Sequence, residues 1–228
     1  MHNILVIIKK QLKDTLKNKT ILIQFILFPV MTIIMENAIS LEGMPEHFFT
    51  KLFAVMYIGM APLVSTASVI AEEKEKNTLR VLMMADIRPW QYLTGIGIYI
   101  WTVCMIGAAV MSVGLPAADR PFFLLVMGAG LVISIMAGAC VGVASRNQMM
   151  ATSTVMPVMI VLSFAPMLSM FNENIRKVSK VVYTQQLRLL FDGMSFDDMT
   201  GTGAAVLIIS AAICVILFFL IYRKKGLE

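Results

Sequence analysis

Residues 124–144, LLVMGAGLVISIMAGACVGVA, run for 21 positions without a charge and without alternation of apolar and polar side chains. No other feature narrows the fold as far. At about 1.5 Å of rise per residue, such a run crosses the roughly 30 Å hydrocarbon layer of a bilayer as one helix. A strand of a membrane barrel would instead alternate over about ten residues. Comparable runs recur along the chain, and the expected spans are 20–39, 52–71, 91–115, 122–144, 151–171 and 203–222. With 58% of the 228 residues hydrophobic, they leave no stretch long enough for a soluble domain. The expectation is an all-α membrane protein of six transmembrane helices, forming a single transmembrane domain over 1–228.

Six spans put both termini on one side, and the distribution of basic residues selects that side. With the N-terminus inside, the inner segments hold thirteen of the 19 Lys and Arg, and the outer ones keep Lys51, Arg120, Arg176, Lys177, Lys180 and Arg188. The net charge of +5 is then a topology signal and does not call for a nucleic-acid partner. The first apolar run is too long for a cleavable signal peptide and lacks a small-residue cleavage site after it. Cys104, Cys140 and Cys214 each fall inside a span, as small buried residues do.

Three segments outside the spans have helical patterns of their own. Residues 1–19 place Ile4, Ile8, Leu12 and Leu16 at fourfold spacing opposite a lysine face, as expected of a basic amphipathic helix lying on the inner leaflet among membrane lipid headgroups. Residues 172–202 place Ile175, Val178, Val182 and Leu189 on one face, expected as short extracellular helices capping the outer mouth, with Asp192-Gly193 as a turn. The third is the loop EEKEKNTLRVLMMADIRPW, where eight charges gather between two spans. Its first half reads as a solvated continuation of span two. Its second half, 77–88, reads as a short helix with Leu79, Leu82, Met83 and Ile87 on one face, Asn77 as its cap and Pro89 as its stop.

Catalytic constellations are missing from the sequence. It contains no phosphate-binding G-x-x-x-x-G-K-[ST] and no H-E-x-x-H, and its two histidines, His2 and His47, are far apart. No paired intramembrane aspartates or Ser-His set supports an intramembrane enzyme. Glu36 is the one carboxylate within an expected span, either a relay for a proton or cation or a group near the outer interface with a structural part. Pro29, Pro62, Pro157 and Pro166 interrupt spans one, two and five. The same spans hold Phe28, Met31, Met35, Met56, Met60, Met156, Met159 and Ser163, the candidate substrate path. Methionine there is either a soft surface for varied apolar cargo or ordinary core filling. In span four, Ser134, Gly138 and Gly142 recur at fourfold spacing, which allows close helix contact.

At AEEKEKNTLRVLMMADIRPWQYLTGI the chain resembles the type-2 (ABC-2) family of ABC-transporter permeases. There an E-x-E-x-G-T-L run joins spans two and three, followed by a leucine-rich coupling helix, a proline and a tyrosine-leucine-glycine entry to the next span. Glu73, Glu75, Thr78, Leu79, Leu82, Pro89, Tyr92, Leu93 and Gly95 match this pattern. Asn77 stands where glycine is usual, Arg80 where an acid is frequent and Ile96 where a lysine is common. The basic N-terminal helix, six spans and helical outer segment are shared as well.

The resemblance implies a non-catalytic transmembrane subunit of an ATP-driven exporter in a bacterial cytoplasmic membrane, with both termini cytoplasmic. It implies pairing with a second permease copy or a paralogue and with two separate ABC ATPase subunits. ATP and Mg would be held by the ATPases and no cofactor by this chain. Docking would fall to Asn77, Thr78, Leu79, Arg80, Leu82, Met83 and Ile87. Only two Trp and five Tyr stand against 13 Phe and 20 Met, which suits an apolar or amphipathic cargo, a peptide or drug, better than a sugar. The alternative is a self-contained secondary transporter or channel, for which Glu36 would be the coupling acid.

Overall fold

The computed structural model describes residues 2–17, 19–39, 45–85, 87–195 and 199–225. Ten α-helices follow one another: α1 His2–Lys17, α2 Lys19–Ala38, α3 Phe48–Glu75, α4 Thr78–Met84, α5 Pro89–Met111, α6 Arg120–Ala144, α7 Gln148–Leu168, α8 Glu173–Ser179, α9 Tyr183–Gly193 and α10 Gly201–Lys225. No strand occurs among the described residues, and six helices (α2, α3, α5, α6, α7 and α10) are long and apolar enough to cross a membrane. The expected all-α, six-span architecture is what the chain adopts. Of the first outer loop, 40–44 lie outside the described residues, as do Asp86 and the side chain of Leu16.

The bundle is built round α3. All but one of its residues from Ala54 to Ala71 are buried, and α2, α5, α6, α7 and α9 pack against it. Close approach of α6 depends on its small residues. A Cβ on Gly138 would sit 2.5 Å from the Leu63 carbonyl oxygen, and one on Gly142 2.9 Å from Ile70 Cβ. Without an apolar-to-water gradient inside lipid, such backbone-to-backbone packing is what holds helices together.

The prolines explain a second part of the packing. Proline has no N–H, so each one inside a helix frees the carbonyl four residues earlier, which is costly where water is absent. In three of four cases a hydroxyl from a neighbouring helix meets that carbonyl. Tyr57 donates to Phe25 O (3.3 Å), freed by Pro29; Ser134 donates to Ile58 O (2.6 Å), freed by Pro62; Thr184 donates to Leu162 O (2.6 Å), freed by Pro166. Each bond therefore ties a proline-bearing span to the element that packs on it.

The segment after α7 does more than cap. α9 inserts among α3, α6, α7 and α10, with Tyr183, Leu187, Leu190 and Phe191 buried and Phe191 against Phe123 at 5.1 Å. The Tyr183 hydroxyl lies 2.6 Å from Ser134 Oγ. Ser134 is 14 residues into α6, or about 21 Å along it, so α9 reaches towards the middle of the bundle. Of the expected face, Val178 and Leu189 are exposed and Ile175 and Val182 only half-buried. Periodicity marked a helix here but assigned its apolar face to the wrong side, because α9 buries Thr184, Gln185 and Gln186 on hydrogen bonds.

Candidate functional site

The charged run at the end of α3 joins the middle of α1, the C-terminus of α6 and the N-terminus of α7. Glu73 is only 6% exposed and its Oε1 accepts from Lys10 Nζ and Gln11 Nε2 of α1. Lys74 Nζ donates to Val143 O at the C-terminus of α6 (3.0 Å), and Glu75 Oε2 accepts from Gln148 N at the start of α7 (2.9 Å). A cation at a helix C-terminus and an anion at an N-terminus are the pairings the helix dipole favours. Lys76 pairs with Glu72 one turn back, and that hydrogen bond and charge hold its ammonium above the ordinary lysine pKa. The expected continuation of span two is there, with Glu75 and Lys76 exposed, and it is corrected at Glu73. Glu73 is buried because α1 folds over it, and the alternating signs match alternating helix ends.

Residues of the loop motif complete the junction from α5. Tyr92 is buried beside the Glu73 carboxylate, although neither its hydroxyl nor Glu73 Oε2 has a partner in hydrogen-bond geometry. A Cβ on Gly95 would lie 2.9 Å from Ile7 Cγ2, so glycine here admits α1 against α5. The buried face of α1 is Ile7, Gln11 and Thr15. Ile4 and Ile8 are half-buried and Leu12 is exposed, so the fourfold apolar stripe lies beside the packed face rather than on it. A polar cavity of about 600 Å³, lined by Lys10, Asp14, Glu72 and Lys76 among others, opens between α1 and the end of α3.

α4 is shorter than expected and turned the other way. It ends at Met84, where Ala85 N and Ile87 N both bond back to Leu82 O, and Pro89 holds Arg88 extended. Asn77 does not cap it. Its side chain accepts no bond and its backbone is left-handed (φ 54°), a conformation open to asparagine and glycine, which gives the usual glycine at this place a reason. Thr78 Oγ1 instead donates to Glu73 O at 3.1 Å. Leu79 and Ile87 are buried in the chain's own core and Leu82 and Met83 pack partly against it. The outward face carries Arg80 with Val81, 63% exposed, and Met84, 80% exposed. The apolar stripe read from the sequence is the face that anchors the helix.

The eight candidate path residues do not converge. Phe28 is buried against Phe53 and Tyr57 between α2 and α3. Met56 and Ser163 are sealed where α3 meets α7, with Ser163 Oγ donating to Met56 O at 3.3 Å, and Met60 and Met159 pack half-buried beside them. Met31 and Met35 are half-buried on α2, and Met156 is exposed on α7. Glu36 is occupied by α3, whose Thr50 N and Oγ1 donate to it at 3.0 and 3.2 Å, with His47 Nδ1 3.5 Å away. It caps the N-terminus of α3 from outside, which favours the structural reading over a relay.

α7 is packed along one side only. Its inner side is limited to Ala151, Val155, Ser163 and Pro166, and the rest is exposed or half-buried. Thr152, Ser153 and Thr154 turn outward, their hydroxyls bonded to carbonyls one turn back. Pro157 is exposed as well and frees the Ser153 carbonyl, to which no side chain among the described residues donates.

A family model described as ABC-2 family transporter protein matches residues 2–223. The chain belongs to this family. It is the transmembrane, permease component of an ABC transporter, a multi-pass membrane protein whose family works with ABC ATPase partners. No curated protein matches the chain. For this ABC-2 subunit, the motif residues Glu73, Thr78, Leu79, Tyr92 and Gly95 have a physical meaning together: they fasten α1, α3, α4 and α5 into one unit at the membrane edge. Gln11 and Ile7 were missed by sequence reasoning. Their spacing with Thr15, four residues each way, was the available clue, but it mixes polar and apolar side chains and so left no amphipathic trace.

Proposed function

We propose that this permease pairs with a second copy or paralogue across α7, docks an ABC ATPase on each copy through the outward face of α4, and exports an apolar or amphipathic cargo. The observation that carries the pairing is the unmet Ser153 carbonyl. Three other proline-freed carbonyls are met by a hydroxyl of a neighbouring helix, and the fourth faces away from the chain among three hydroxyl-bearing residues. A second permease on that face would supply the missing neighbour.

Docking through α4 follows from its geometry. Val81 and Met84 form an apolar knob held rigid by buried Leu79, the helix-in-groove arrangement of a cytosolic partner. Because α4 is fastened to α1, α3 and α5, a push on it by ATPases closing round ATP and Mg would be passed to the spans as one body. The basic end of the bundle, with both termini, is the cytoplasmic side in this reading. Cargo would pass between copies, along α7 and the outward parts of α2, where Met156, Met31 and Met35 offer soft contacts. Small amphipathic peptides suit such a surface.

Cysteine crosslinking in native membranes tests the pairing. In a variant lacking the three natural cysteines, Ser153→Cys, Met156→Cys and Ile160→Cys should each give a crosslinked permease pair. If all three stay uncrosslinked while the permease still co-purifies an ABC ATPase, the partner surface lies elsewhere.

A further inference from the structure

A cavity of about 560 Å³ opens on the side of the bundle away from α7, floored by α6 and α3 and flanked by α5 and α10. Trp90, Gly97 and Trp101 on α5, Ile135 and Met136 on α6 and Phe218 on α10 are among the residues that line it. We propose that it holds one acyl chain of an anionic phospholipid of the inner leaflet, with the headgroup phosphate on Arg88 and Arg223. The inference rests on the cytoplasmic placement of the basic end proposed above and on α5, α6 and α10 spanning the bilayer, and it is independent of the direction of transport.

Size and depth select the occupant. Trp90 and Trp101 are eleven residues apart on α5, about 16 Å, which is half of a hydrocarbon layer of roughly 30 Å. Spread over that length, 560 Å³ gives a cross-section of about 35 Å². This is room for a chain of methylenes sunk between α5 and α10. The rim is exposed at Trp90, Ile98, Trp101 and Val132, so the opening faces the surrounding lipid. Trp101 Nε1 donates to Gly128 O (3.1 Å), leaving the ring as an apolar wall.

Charge selects the headgroup. Trp90 stands at the membrane edge, where indole rings settle, and Arg88 lies just beyond it. On α10, Tyr222 stacks on Phe218 at 5.9 Å one turn nearer the end, and Arg223 and Lys224 follow. Arg88, Arg223 and Lys224 are exposed and make no ion pair with any described carboxylate. A Cβ on Gly97 would meet only Ile135 Cγ2, at an ordinary 3.8 Å, so this glycine keeps the cavity open without being needed for packing.

Both tryptophans of the chain line the cavity, so its occupancy can be read from intrinsic fluorescence. The purified full-length permease is placed in vesicles of equal parts phosphatidylglycerol and phosphatidylcholine, with acyl-chain bromine on one lipid or the other as quencher. Brominated phosphatidylglycerol should quench more. Each cation should contribute about fivefold to that preference, equivalent to about 1 kcal/mol near an anionic headgroup. Gly97→Leu should abolish the preference by filling the cavity, and so should Thr94→Phe on its exposed rim, which adds no fluorophore that competes with the two tryptophans. Arg88→Gln with Arg223→Gln should lower the preference by about 25-fold, the two fivefold contributions together. Equal quenching by both lipids in the unaltered protein would overturn the proposal. So would a preference that survives both cavity-filling variants, or one unchanged by loss of the two arginines.

Discussion

Replacing Lys10 by methionine tests whether the junction at the end of α3 holds α1 in place. The substitution keeps the length of the side chain and removes the charge that pairs with Glu73. Glu73 would then keep Gln11 as donor, with the Tyr92 hydroxyl beside it, and its side chain is only 8% exposed. Removing one partner of a fully buried pair costs about 3–5 kcal/mol. Lys10 is itself 32% exposed, so the pair is partly solvated and the expected loss is smaller, about 2–4 kcal/mol. The reverse change, Glu73→Leu, should cost about 1–3 kcal/mol, chiefly from the buried Gln11 amide left without its acceptor, because Lys10 can turn to Asp14, 4.0 Å away. With both changes together the loss should be less than the sum, since no unpaired carboxylate remains. Thermal unfolding of the permease in detergent, followed by tryptophan fluorescence, measures the three losses, and trypsin cleavage at Lys9 and Lys13 reports release of α1. A Lys10→Met protein that melts like the parent and resists trypsin equally would refute the buried-junction argument.

Other parts of the structure give outcomes of different kinds. Gly138→Leu should prevent α6 from seating on α3, an overpacking loss of at least 1–3 kcal/mol visible as reduced folded yield, whereas Gly97→Leu should leave the yield unchanged. Tyr183→Phe removes the hydroxyl that meets Ser134 and should lower stability by about 1 kcal/mol while leaving the fold intact, checked by thermal melting. Met56→Lys should reduce the amount of folded permease, because the site is sealed inside the chain. Met156→Lys, on the exposed side of α7, should lower transport per folded permease more than it lowers the folded amount.

Much of this architecture is legible in the sequence because lipid imposes a coarse rule. Runs of about twenty apolar residues have to be spans, and all six appear as helices long and apolar enough to cross. The stripe of Ser134, Gly138 and Gly142 was readable for the same reason, since small residues at fourfold spacing have few uses other than close packing. Orientation about the helix axis was not readable. Outside the spans, an apolar face can turn towards the chain's own core or towards a partner, and α4 and α9 both resolve that choice by contacts distant in sequence. Charge was misleading at Glu73, whose burial depends on Lys10 and Gln11 more than sixty residues earlier. The pairing of freed carbonyls with hydroxyls was hidden for a like reason: each proline is visible, but its hydroxyl donor comes from another helix.

In the proposed docking mode, this ABC-2 permease meets its ATPase through the outward side of α4 while the inward side is anchored in the bundle. A photo-crosslinking side chain introduced singly at Val81, Met84, Leu79 or Ile87, in the assembled complex in native membranes, tests it most directly. A permease–ATPase adduct is expected from Val81 and Met84, and only crosslinks within the permease from Leu79 and Ile87. ATPase adducts from Leu79 and Ile87 with none from Val81 and Met84 would contradict it.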